Sequence, residues 1–140
     1  AVEHTGYFAP ITSLKSYYDA NAQLLDPAKA AELFTPDWPI YTRTNDSCPS
    51  QYYEEAEVKN SLIADGCVIE GEVENSVLFR GVKVGKGAKV KNCVLMQDTV
   101  VGEGANLEYV ITDKDVTITS GKSLVGTDTF QVFVAKKQTV

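Results

Sequence analysis

Between Glu74 and Asp98 the chain carries no acidic residue, yet Arg80, Lys83, Lys86, Lys89 and Lys91 all fall there. In a chain of formal net charge −6 this makes one stretch locally +5. Such a cluster could seat an anion through charge-assisted hydrogen bonds, face an acidic partner, or form a solvated face. Other residues capable of chemistry are sparse. His4 is the only histidine, and Glu54-Glu55, like Glu70 and Glu72, reads as solvated carboxylate. Gly85-Lys86-Gly87 and Gly102-Glu103-Gly104 look like phosphate loops, but no helical pattern follows them to supply an anion-binding terminus. Cys48, Cys67 and Cys93 are odd in number and lack metal spacing. The chain is therefore expected to hold no catalytic residue, no cofactor and no metal.

The elements that would position these residues are written in a repeat. Val58-Lys59-Asn60-Ser61 returns as Val73-Glu74-Asn75-Ser76, Val90-Lys91-Asn92-Cys93 and Leu107-Glu108-Tyr109-Val110, at steps of 15, 17 and 17 residues. Inside it lies a finer lattice. Aliphatic residues stand at Val58, Ile63, Ile69, Val73, Leu78, Val84, Val90, Leu95, Val101, Leu107 and Ile118, mostly five or six apart, with Thr112 the one break. Two places before each comes a small or β-branched residue, such as Cys67, Ser76, Ala88, Cys93, Thr99 or Ala105. Helices repeat every three to four residues and half-buried strands every two, so neither explains a period near six. A parallel β-helix built from hexapeptides does, with three short strands per coil of about 17 to 18 residues. Glycines at Gly66, Gly81, Gly87 and Gly104 suit its corners. A sandwich of alternating strands would not generate the small-residue series.

Along the chain, residues 1–11 read as an extended lead-in. Leu14, Tyr17, Tyr18, Asn21, Leu24 and Leu25 then repeat at helical spacing behind Thr12 or Ser13 as N-cap. Asp26-Pro27 ends that helix and starts a second, closed by Pro36 and Pro39. Residues 37–53, rich in aromatics, read as an irregular connector packed over the first coil. After Ile118 the lattice is expected to fail, because Lys122 stands where a small residue is due. The segment Thr129 to Ala135 reads as one more strand, running back along the domain. At 140 residues and 44% apolar the chain can bury one core. Its acidic balance, pI about 4.7, argues against nucleic acid as a partner. No apolar run approaches the ~20 residues of a membrane span, and no signal peptide is read at its start. The thiols are expected to be reduced and the location cytoplasmic.

Gly6-Tyr7 through Leu25, with Ser16-Tyr17-Tyr18-Asp19-Ala20-Asn21 at its heart, the segment Trp38-Pro39-Ile40-Tyr41-Thr42, and Asn92-Cys93-Val94-Leu95-Met96-Gln97-Asp98 together resemble the C-terminal third of glucose-1-phosphate adenylyltransferase. That resemblance implies a mainly β fold: a left-handed parallel β-helix of about four coils over residues 54–140, ending in a C-terminal strand. Residues 1–53 would then be a linker and short α-helical segment following a nucleotidyltransferase domain absent from this chain. It also implies homo- or hetero-oligomers with catalytic adenylyltransferase subunits, and regulation by a phosphorylated metabolite. By resemblance, Arg43, Lys136 and Lys137 join the basic stretch as candidate effector contacts. One departure stands out. Active members carry a metal-binding Asp where this chain has Pro10, which offers no side-chain oxygen to Mg²⁺. The match is therefore to the catalytically silent, GlgD-type partner subunit, with Mg²⁺ expected only in an active partner. The alternatives are the equivalent domain of an active sugar-phosphate nucleotidyltransferase and a hexapeptide acyltransferase. The latter is disfavoured because such enzymes use histidines at their coil interfaces.

Overall fold

Short strands that each bury one side chain, separated by residues able to turn sharply, wind into a solenoid. The computed structural model, which describes residues 1–140, shows that winding. Two helices come first, α1 (Leu14–Gln23) and α2 (Pro27–Leu33). Fifteen strands follow coil by coil: β1 (Gln51–Tyr52), β2 (Glu57–Lys59) and β3 (Leu62–Ile63); β4 (Val68–Ile69), β5 (Glu72–Glu74) and β6 (Val77–Leu78); β7 (Lys83–Val84), β8 (Lys89–Lys91) and β9 (Val94–Leu95); β10 (Val100–Val101), β11 (Asn106–Glu108) and β12 (Val110–Thr112); β13 (Thr117–Ile118), β14 (Ser123–Val125) and β15 (Val132–Val134). They form three parallel five-stranded sheets, so about four turns separate the first and last strands of each face. We call the sheets starting at β1, β2 and β3 the first, second and third faces. The expected mainly β solenoid with a short helical lead-in is what the chain forms.

Both lattice series point inward as read. Ile69, Val73, Leu78, Val84, Val90, Leu95, Val101, Leu107 and Ile118 are all at most 1% exposed, as are Cys67, Ser76, Val82, Ala88, Cys93, Thr99 and Ala105 between them. Thr112 keeps its inward place. Its hydroxyl lies 2.9 Å from that of Thr99 and accepts from the Met96 N–H at 3.3 Å, so this buried polar pair is satisfied.

The repeated tetrad is a corner. Asn60, Asn75, Asn92 and Tyr109 adopt left-handed φ of 43° to 51°, which asparagine tolerates better than most residues. Each of the last three donates its N–H to a carbonyl one coil back. The step of 15 residues has its own cause. Between Ile69 and Glu72 the corner of the second coil is two residues shorter than Val84 to Lys89 in the third. Gly71 allows the short cut, since a Cβ there would run into the Ala88 carbonyl.

Three expectations for the ends of the solenoid are corrected. Coiling does not stop at Ile118: β14 pairs with β11, Leu124 still packs against the core, and Lys122 is an exposed corner residue. The tail strand does not run back either. β15 pairs in parallel with β12, after an excursion that makes Ile111 to Phe133 a step of 22 residues. The connector aromatics do not cover the first coil: Trp38 is 84% and Tyr41 90% exposed, and β1 in this region is itself a solenoid strand.

Candidate functional site

The basic stretch occupies a single coil and points several ways. Arg80 sits in the corner between β6 and β7, and Lys83 lies outward on β7 of the first face. Lys86 is in the next corner, and Lys89 and Lys91 project from β8 on the second face. The two coils beneath supply the acids that the linear stretch lacks. Register places Glu72 beside Lys89 and Glu74 beside Lys91. Lys89 Nζ is 3.6 Å from Glu72 Oε2, Lys91 Nζ is 3.2 Å from Glu74 Oε2, and Lys86 Nζ is 2.9 Å from Glu55 Oε1. The hydrogen bond from Lys86 to Glu55, then the charge of Glu55, raises the Lys86 pKa. These pairs are about half exposed, so each contributes little to stability, but together they cancel most of the local excess.

Arg80 and Lys83 of the five make no ion pair. Arg80 stands between two shallow hollows of about 450 and 400 Å³, the second bordered by Asp65, Gln97 and Asp98. Lys136 shares its corner column. In that column Gly81, Asp98, Asp115 and Lys137, all left-handed, donate N–H to the carbonyls of Asp65, Arg80, Gln97 and Lys114. Lys136 thus stands three coils above Arg80. Arg43 lies in the exposed segment ahead of β1.

Nothing else gathers into a reactive centre. His4 is exposed and its Nε2 lies 3.2 Å from the Tyr7 carbonyl oxygen. No three of the His, Cys, Asp and Glu side chains come together as metal ligands. Pro10 is exposed, and its side chain offers no oxygen to a cation. The glycine-flanked loops are stacking corners. A Cβ on Gly85 would lie 2.9 Å from the Glu103 nitrogen, and one on Gly102 would lie 2.5 Å from the Ser120 nitrogen.

Residues 48–133 match the family described as GlmU-like, C-terminal hexapeptide. The chain belongs to that family. Within it, this hexapeptide domain is 50% identical over 88 residues to the glycogen biosynthesis protein GlgD of Bacillus subtilis (strain 168), covering 63% of this chain and 26% of that protein. It is 49% identical over 86 residues to glucose-1-phosphate adenylyltransferase of Geobacillus stearothermophilus, covering 61% of this chain and 22% of that one. Over 85 residues it is 40% identical to the Fusobacterium nucleatum protein of the same name, again 61% and 22%. The chain thus spans about a quarter of the length of the curated relatives it matches. It is related to proteins of glycogen biosynthesis. No helix is long and apolar enough to cross a membrane.

A feature of this hexapeptide domain not read from its sequence is the outward side of the third face. Leu62, Val77, Val94, Ile111 and Phe133 are in register there. α1 covers the middle of the row: Tyr18 packs on Val94 and Ile111, its ring 5.9 Å from that of Tyr109. Burial, with Tyr109 adding to it, pushes the Tyr18 phenol up to about 12. The ends stay open, Leu62 at 42% and Phe133 at 50% exposed. The signal was available. On this face the residue preceding each inward side chain is also apolar, whereas on the second face it is mostly charged.

Proposed function

We propose that this chain is the assembly and allosteric-regulatory domain of a glucose-1-phosphate adenylyltransferase subunit in cytoplasmic glycogen synthesis, and that it performs no chemistry itself. The observation that carries this reading is an uncovered apolar first coil. Val58 is 36%, Leu62 42%, Tyr52 55% and Tyr53 53% exposed, whereas at the other end the tail bridges Thr139 to Thr117 of β13 and packs Val140 against the core. A solenoid end with unpaired strand edges invites another domain or chain to stack on it. The similarity to GlgD, and Pro10 where the resemblance implies a metal-binding Asp in active members, favour a non-catalytic subunit. The coil is left-handed in this reading. A phosphorylated effector would be held by the unpaired cations Arg80, Lys83 and Lys136, with Arg43 available from the connector. Lys86, Lys89 and Lys91 are already engaged by carboxylates.

The second reading is the same domain of an active enzyme, supported by 49% identity to a named adenylyltransferase. Full-length subunit, alone and mixed with an active partner, separates the two in an assay of ADP-glucose formation. The subunit alone is expected to give little product, and the mixture an altered rate or effector response. Arg80→Gln is expected to blunt that response more than the pair Lys89→Gln and Lys91→Gln. Robust turnover by the purified subunit with no partner would overturn the regulatory assignment.

A further inference from the structure

The outward side of the second face is a charge pattern complementary to itself. Its three-residue strands present their first and third side chains. From the bottom these are Glu57 and Lys59 on β2, Glu72 and Glu74 on β5, Lys89 and Lys91 on β8, Asn106 and Glu108 on β11, and Ser123 and Val125 on β14. All ten are exposed or half-buried, and α1 packs on the third face, leaving this one open.

From this we infer that two copies of this chain pack second face to second face. The two-fold axis relating them runs parallel to the strands, midway between β5 and β8. Such an axis keeps the strand direction and reverses the order of the coils, so β5 meets β8 of the second copy and β2 meets its β11. Glu72 then faces Lys89, Glu74 faces Lys91 and Lys59 faces Glu108, each pair occurring twice. Glu57 faces the neutral Asn106, and no like charges meet.

Other arrangements lose this match. A two-fold along the solenoid sets Glu72 against Glu74 and Lys89 against Lys91. Sliding the axis one coil down sets Glu57 against Glu72, and sliding it one coil up sets Glu74 against the apolar Val125. In the matched arrangement the pairs already present within one chain, Lys89–Glu72 and Lys91–Glu74, become alternating four-charge rings. Networks of this kind hold better than isolated surface pairs, and complementary charge fixes register more than it adds affinity.

The inference deepens the assembly reading above, resting on it for lasting contact between chains and adding the face and the partner. Four strands from each copy, ~4.8 Å apart and about 10 Å long, make a small contact, below the ~800 Å² per partner of standard interfaces. Association is therefore weak and is lost as salt screens it.

Zero-length carbodiimide coupling of the 140-residue chain, at millimolar concentration and low salt, tests this. Lys59 and Glu108 lie three coils apart in one chain, ~14 Å, too far for direct coupling, so a Lys59–Glu108 amide reports the second copy. That amide is expected, and is expected to vanish at high salt. Formation of Lys91–Glu74 amides without it would overturn the contact. By sedimentation, Lys59→Glu is expected to weaken self-association roughly tenfold, and adding Glu108→Lys to restore it. A double variant as weak as the single one would also overturn it. The ADP-glucose assay with the active partner, run on full-length subunit carrying Lys59→Glu, tests the assembly reading separately.

Discussion

Cys93 shows how tightly an inward position is specified. Its N–H donates to Ser76 Oγ one coil below at 3.0 Å, and its Sγ donates to the Lys91 carbonyl at 3.0 Å. Burial pushes the thiol up from 9.0 to about 12. The folded state therefore holds this proton more tightly than the unfolded chain does. The corresponding stability is complete below about pH 9 and falls as pH rises towards 12. Cys93→Ser keeps the size and the hydrogen bonds, as Ser76 does one coil earlier, and removes that ionisation. Its melting temperature is expected to stay close to that of the parent at pH 7 and to decline less steeply between about pH 9 and 11. Tyr18 and Cys67, also raised by burial, leave a residual slope in both proteins. Parallel declines would mean that the Cys93 thiol is not the group kept neutral.

At the scale of the element, α1 is set by its own sequence and placed by one unusual corner. Ser13 and Ser16 form a reciprocal capping box that fixes where the helix begins. Its docking depends on Tyr109, which takes the left-handed position held by asparagine in the three preceding coils, at φ 51°. A bulky residue there costs on the order of 1 kcal/mol, and the Tyr18–Tyr109 contact returns a comparable amount. Tyr109→Asn is therefore expected to leave the solenoid's melting temperature within a few degrees of the parent. Amide protection in residues 14–23 should drop by roughly tenfold. Unchanged protection of the helix would show that Val94 and Ile111 hold Tyr18 without the corner aromatic.

For the whole molecule, stability resides in one narrow column of side chains shared by all the coils. Val101 is 1% exposed at its centre, between Val84 and Ile118 in the ladder. Val101→Asp would bury an unpaired carboxylate at a cost of several kcal/mol, a large share of the ~5–15 kcal/mol typical of a domain. Glu103, two residues later on an exposed corner, tolerates Lys within about 0.5 kcal/mol. Cooperative loss of the whole β signal is expected for the first variant and a parent-like melt for the second. Equal melting temperatures would contradict the register.

The sequence by itself determined the coil. A period near six, two inward series and the returning tetrad were all legible, because each coil must bury the same kind of side chain at the same place, and one residue of slip would expose them. Both helices were legible too, since Ser13 and Asp26 cap locally. Only the tertiary structure decided which charges surround the basic stretch. In a solenoid Lys91 lies beside Glu74, 17 residues back and one strand spacing away, so three cations of a run unpaired along the chain meet carboxylates in space. The same stacking brought Arg80 and Lys136 into one corner column and lined up the apolar row that receives α1. Charge and contact in this fold are properties of columns a coil apart, whereas the inward repeat is written within each coil.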